Sequence, residues 1–274
     1  MPAENSGAAG LLPQAIRPDW PAPSAVMALM STRQGGVSQA PFDSLNLHPP
    51  GQPGADADDP AAVQQNQRRF GAALGARPVW LKQVHGAEVL RLHAGLALDA
   101  LPPADASICT EPGLACVVLV ADCLPVLLCT DDGSGVAAAH AGWRGLAAGV
   151  LDNSVAALCR ATGRAPQDLL AWLGPCIGPT AFEVGEDVLR AFGADPARPD
   201  AGCFVARRRS DGSAAWLANL PALARQRLGA LGLNRFSGGG WCTVGDASRF
   251  FSFRRDRRCG RLAAGIALQG RRAF

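Results

Sequence analysis

The chain has 274 residues, 48% of them hydrophobic and 18% charged, with a formal net charge of +3. That length suits one large domain or two small ones, and the apolar content excludes a mainly disordered chain. The weak net charge makes no case for a nucleic-acid partner, and the 32 glycines and 21 prolines follow no collagen-like period.

Residues 1–14 are small, polar and rich in Gly and Ala, and are expected to form a flexible tail ahead of a single domain over 15–274. They lack the basic-then-apolar pattern of a secretory signal. Residues 26–31 read as a strand, followed by a turn at Gln34-Gly35-Gly36 and a polar, proline-flanked loop over 41–50. Asp59 and Pro60 open a helix predicted over 59–75, with apolar residues at helical spacing. Strands are predicted over 79–84 and 88–92, around a turn at His85-Gly86, and then over 104–109, 115–120, 125–129 and 135–140. The most apolar stretch, 113–130, is broken by Asp122 and Pro125, so it reads as two buried strands and not as a membrane span. Residues 143–162 form the clearest helical pattern, about five turns at ~3.6 residues each. A strand over 169–173, helices over 185–192 and 220–231 and a closing strand over 261–268 follow. The segment 195–212, rich in Pro, Arg, Asp and Gly, reads as a mobile insertion. Strands and helices mix along the whole length, which predicts an α/β or α+β fold with at least one sizeable sheet. The odd count of nine cysteines and the absence of a signal pattern favour free thiols in a reduced, cytoplasmic protein, and no segment calls for a membrane.

Three short segments carry candidate chemistry. They are Trp80-Leu81-Lys82-Gln83-Val84-His85-Gly86, Ala121-Asp122-Cys123-Leu124-Pro125 and His140-Ala141-Gly142-Trp143-Arg144-Gly145. Each places a metal-capable side chain at the end of a predicted strand, where a scaffold aims side chains into a shared cleft. His85, Cys123 and His140 make a two-histidine, one-cysteinate set, which on zinc leaves a fourth position open, as catalytic sites do. Taken singly, each has a plain structural reading: a hydrogen-bonded histidine, or an inert buried thiol. The gaps of 38 and 17 residues match no zinc-finger spacing. Blue copper uses the same ligand types, but the only methionines are Met1, Met27 and Met30 and the close clustering of ligands is missing. A four-copper oxidase needs many more histidines than the four present, His48, His85, His93 and His140.

These segments closely resemble the YfiH-like family, also called the laccase-domain or polyphenol-oxidase family and described as purine nucleoside phosphorylases. The resemblance extends to Ser31-Thr32-Arg33-Gln34-Gly35-Gly36, Pro41-Phe42-Asp43-Ser44-Leu45-Asn46-Leu47, Leu173-Gly174-Pro175-Cys176-Ile177-Gly178, Cys242-Thr243 and Phe250-Phe251-Ser252-Phe253-Arg254-Arg255-Asp256, in the family's order. It implies a single domain with a four-layer α/β/β/α arrangement of mixed sheets. It implies zinc, with copper also reported, at His85, Cys123 and His140. It implies phosphorolysis of adenosine, inosine and methylthioadenosine, with adenosine deamination as a second activity, and a link to peptidoglycan editing. Phe182 and Phe253 stand where the family usually has tyrosine, and Asn219 where it has aspartate.

Purine nucleosides and phosphate are then the expected partners. Arg144, at the opening of the predicted helix, is the first candidate for gripping phosphate, through its guanidinium and the helix N-terminus. Arg33, beside a glycine turn, is a second; the plain alternative is a structural ion pair for Arg144 and a structural or surface role for Arg33. Zinc makes bound water nucleophilic at neutral pH, as deamination requires. Asp122 is a candidate proton shuttle, and Gln83 and Asn46 are candidates for hydrogen-bonding the base or bound water. A cysteine hydrolase, with Cys123 as nucleophile and His140 as base, competes with this reading. So does a non-enzymatic redox or scaffold role for the thiols.

Overall fold

The structure, a computed structural model, describes residues 12–50, 58–97 and 102–270. Of the expected tail, residues 1–11 lie outside the described residues, whereas Leu12 is buried in the cluster that holds Leu29 and Leu74. The elements run β1 (Val26–Met30), α1 (Pro60–Leu74), β2 (Arg77–Trp80), β3 (Val89–Leu92), β4 (Ala106–Cys109), β5 (Leu114–Val120), β6 (Leu124–Thr130) and β7 (Val136–Ala141). They continue with α2 (Trp143–Ala148), α3 (Val150–Thr162), β8 (Leu169–Leu173), β9 (Glu183–Val184), α4 (Glu186–Ala191), β10 (Phe204–Arg208) and β11 (Ala214–Ala218). The chain closes through α5 (Leu220–Ala230), β12 (Arg235–Gly238), α6 (Phe253–Asp256) and β13 (Leu262–Leu268).

Two mixed sheets form the centre. One has the order β1-β13-β5-β2 and the other β12-β8-β6-β7-β4-β3. β5 and β6 are apolar at nearly every position because each is covered on both faces. On β5, Val117 points to Phe70 and Leu74 of α1, while Cys116 and Val118 point to the second sheet. On β6, Leu127 meets the first sheet, and Val126 and Leu128 meet the layer of α3 and α5. The layers are therefore α, β, β and α, as the resemblance implied. A small antiparallel sheet, β10-β11-β9, lies beside them.

The helix predicted over 59–75 is α1. Asp59 caps it by accepting from the Ala61 N–H at 3.0 Å, Pro60 takes the first turn, and Gly75 ends it at φ 70°. The predicted helix over 143–162 is instead two helices. Gly149 adopts φ 94° and sends its N–H back to Leu146 and Gly145, which closes α2 after six residues. Arg144 thus opens a short helix and not a five-turn one. The expected insertion over 195–212 contains β10, which pairs in antiparallel register with β11 from Phe204 opposite Ala218 to Arg208 opposite Ala214. Its charged sequence hid the strand because all but one of its residues are exposed. All nine cysteines are free thiols, and no helix among the described residues is long and apolar enough to cross a membrane.

Candidate metal centre and substrate cleft

His85 follows β2 on a turn, at φ 62°. Cys123 lies in the short passage from β5 to β6, directly after Asp122 at φ 93°. His140 belongs to β7 and is buried. The fold gathers these three, separated in sequence, into one group whose ligand atoms all lie within 4.8 Å of one another. His85 Nε2 stands 3.8 Å from Cys123 Sγ, and the two imidazoles meet edge to face with centroids 4.8 Å apart.

Asp105, which sequence reasoning missed, organises the group. It is fully buried just ahead of β4. Its Oδ1 takes His140 Nδ1 at 2.8 Å and the His85 N–H at 2.9 Å, and its Oδ2 takes the N–H groups of Val84 and Gly86 at 3.0 and 2.7 Å. One carboxylate thus fixes the His85 turn and the His140 ring together. A proton on His140 Nδ1, held by Asp105, leaves Nε2 as the lone-pair nitrogen, which is how carboxylates orient metal-bound histidines. Burial alone would raise the Asp105 pKa, but the hydrogen bonds from His140, Gly86 and Val84 hold it below the usual carboxylate range. The signal for it was an aspartate abutting an apolar strand, where an unpaired charge is not tolerated.

Charge couples the group. Burial opposes ionisation of Cys123, but the positive charge and hydrogen bond of His140, then those of His85, bring its thiol down to about 6. Burial likewise opposes protonation of His140, yet the Cys123 thiolate and Asp105 raise it to about 9. Without a metal the pair is a thiolate beside an imidazolium.

The residues fit a metal ion. The donor set is two imidazoles and a thiolate, and Asp105 sets the tautomer from behind. Space is kept by Gly142, where a Cβ would stand 2.9 Å from Cys123 Sγ and 3.2 Å from His85 Cδ2.

The group opens into a cleft of about 560 Å³. Gln83, Asp122 and Arg144 line it with the three donors. Gln83 is pinned to β5: its Nε2 donates to the Leu119 carbonyl at 2.9 Å and its Oε1 accepts from the Leu119 N–H at 2.7 Å. Asp122 accepts from the Thr243 hydroxyl at 2.5 Å and the Arg254 N–H at 2.6 Å. Arg144 lies over the Trp143 ring at 4.5 Å and forms no ion pair among the described residues. Arg33 and Asn46 do not line the cleft. Arg33 pairs with Asp43 at 3.3 Å and donates to the Ala247 carbonyl. Buried Asn46 donates to Asp58 and accepts from the N–H groups of His48 and Arg261, so it holds two cleft residues in place. Arg254, Arg257 and Arg261 also line the cleft; the sequence marked only the first, as part of a matching segment.

The sequence profile of a family described as multi-copper polyphenol oxidoreductase laccase matches residues 27–269. The chain belongs to this family. It is 50% identical over 255 residues to a purine nucleoside phosphorylase of Pseudomonas aeruginosa, covering 93% of this chain and 98% of that one. It is 48% identical over 256 residues to the purine nucleoside phosphorylase YfiH of Escherichia coli, covering 92% and 98%. Among solved structures, protein NMB0706 of Neisseria meningitidis matches with a TM-score of 0.82 and 43% identity over 94% of this chain and all of that one. YlmD of Geobacillus stearothermophilus matches at 0.78 with 30% identity, over 90% of this chain and 93% of that one. The laccase description of the family sits against a chain of four histidines, of which only His85 and His140 join a cluster able to hold a metal among the described residues.

Proposed function

We propose that this protein is a metal-dependent purine nucleoside phosphorylase, acting on adenosine, inosine and methylthioadenosine, with adenosine deamination as a second activity. The observation that carries the reading is the meeting, in one cleft, of the His85, Cys123 and His140 group with the ion-pair-free guanidinium of Arg144. The names of the relatives support the substrate class.

Phosphorolysis breaks the bond from ribose C1′ to the purine nitrogen and forms one from C1′ to a phosphate oxygen; the proton that the hydrogen phosphate loses ends on the departing purine. Arg144 binds the phosphate dianion, for which its planar fork of donors is suited. Trp143 and Phe182 give the cleft aromatic surface against which a purine packs. Gln83, pinned to Leu119, positions the cleft wall, and Asp122, the carboxylate that lines the cleft, is the proton shuttle of this reading. Asn46 positions His48 and Arg261, and Arg33 braces the adjoining loop. His85, Cys123 and His140 hold the ion, with zinc favoured by the mixed imidazole and thiolate set and copper as the alternative. When bound there, a divalent ion would supply Lewis-acid polarisation.

The test is chromatography of adenosine incubated with phosphate and metal-loaded protein, expecting adenine and ribose 1-phosphate, and inosine when phosphate is left out. Neither product appearing would overturn the reading. A second reading has its own observation: Cys123, His140 and Asp105 also form a nucleophile, base and orienting acid. Hydrolase activity that persists in metal-free protein and is lost in Cys123→Ala would select it, and would reopen a peptidoglycan precursor as substrate.

A further inference from the structure

Phe253 is one of only three large hydrophobic residues left exposed among the described residues, at 47%. It lines the cleft, and the guanidinium carbons of Arg257 and Arg261 each stand 5.9 Å from its ring centroid. Neither arginine has a carboxylate partner among the described residues. Arg255, close by in sequence, is paired with Asp256, and Glu183 is taken by Arg207 and Arg209. Asp122, the one carboxylate lining the cleft, faces Thr243 and the Arg254 amide. Arg261 Nη1 donates to the Cys259 and Gly260 carbonyls at 3.0 and 3.3 Å. The Arg257 guanidinium has no hydrogen-bond acceptor among the described residues, and its backbone is held at φ 60°, outside the comfortable range of a side-chain-bearing residue.

Two guanidiniums without carboxylate partners beside one exposed ring make a positive patch in the cleft wall, which suits an anion. In the phosphorylase reading the nucleoside is neutral and inorganic phosphate falls to Arg144, so Arg257 and Arg261 have no counterpart. We propose that the cleft takes nucleoside 5′-phosphates, with Arg257 and Arg261, set around Phe253, as the subsite for the phosphomonoester. This rests on the nucleoside reading above and extends it to the 5′-phosphorylated counterparts of those nucleosides. The dianion would accept from both guanidiniums, and the sugar would lie over the Phe253 face.

The experiment is calorimetric titration of the full-length, metal-loaded protein with adenosine and with adenosine 5′-monophosphate. The nucleotide is expected to bind about tenfold tighter, with the advantage shrinking as salt is raised. Arg257→Gln should lower the nucleotide-to-nucleoside affinity ratio about fivefold or more, and Arg257→Lys should restore part of it. Equal affinity for the two ligands, or an unchanged ratio in Arg257→Gln, overturns the subsite while leaving the nucleoside reading in place. Binding of neither ligand overturns both. A ratio that collapses in Arg144→Ala and not in Arg257→Gln places the phosphomonoester elsewhere and also overturns the proposal.

Discussion

Replacing Gly142 with alanine should weaken metal binding without unfolding the protein. The residue caps α2 at φ −61° and ψ 158°, a backbone that any L-residue adopts, so the substitution brings no conformational strain. The cost comes from the methyl group. It would sit 2.9 Å from Cys123 Sγ and 3.2 Å from His85 Cδ2, where ordinary contacts are about 3.5–4.0 Å. The sulfur must therefore retreat by about 0.6–1.1 Å and the imidazole by about 0.3–0.8 Å, whereas metal-ligand distances tolerate about 0.2 Å. Overpacking of this size costs roughly 1–3 kcal/mol. It falls on the metal-bound form, because only there must both side chains stay in place. At about 1.4 kcal/mol per factor of ten, affinity should drop about 5- to 150-fold. Competition with a chromophoric zinc chelator measures this, and thermal unfolding of the metal-free protein shows that the fold survives. A folded Gly142→Ala protein with the parent's zinc affinity would refute the assignment of the donors around that glycine.

Asp105→Asn should cost the metal-free protein roughly 3–5 kcal/mol in chemical denaturation, because it removes one partner of a buried, hydrogen-bonded pair and turns an N–H donor toward other donors; near-parental stability would refute this. The Asp105 pKa lies below its ordinary value in the folded state, so its contribution is present at neutral pH and is lost as pH falls through that lowered value. In metal-stripped protein, Cys123 should be alkylated with a midpoint near pH 6, since the thiolate is the form present above about 6, while Cys116 and Cys176, raised by burial, stay unreactive; mass spectrometry of the modified peptides decides, and a midpoint near that of a free thiol would refute the coupling. Arg144→Ala should raise the phosphate KM about tenfold or more and spare phosphate-free deamination at full metal occupancy; equal losses in both activities would assign Arg144 a structural role.

Much of the site was legible because strand ends are punctuated. His85 precedes Gly86, Cys123 precedes a Leu-Pro step and His140 precedes Ala-Gly, and each signal needed only local sequence. The helix over 59–75 was legible from its two caps for the same reason. Gly149 misled because one glycine inside an apolar helical period costs only about 1 kcal/mol in a helix, so the period alone cannot tell a tolerated glycine from a left-handed stop. β10 was hidden because Val205, Ala206, Arg207 and Arg208 are all exposed, which erases the alternation that reveals strands. Asp105 and the arginines at 257 and 261 acquire meaning only from neighbours far away in the chain. Asp105 lies 35 residues from His140, and Arg261 is tied to Asn46 across 215.

The passage from β5 to β6 has a mechanical consequence. Those strands belong to different sheets, and three residues, 121–123, carry the chain from one to the other. His85 follows a strand of the first sheet, His140 lies in the second, and Cys123 sits on the crossing. An ion held by all three would act as a rivet through two plates. The donor triangle is then a gauge of how those plates are slid against each other. Residues such as Leu127 and Trp172, packed between the sheets and absent from the cleft lining, set that sliding. Reshaping them would detune the donors from a distance, so the precision of the site is a property of the interlayer core as much as of its own three side chains.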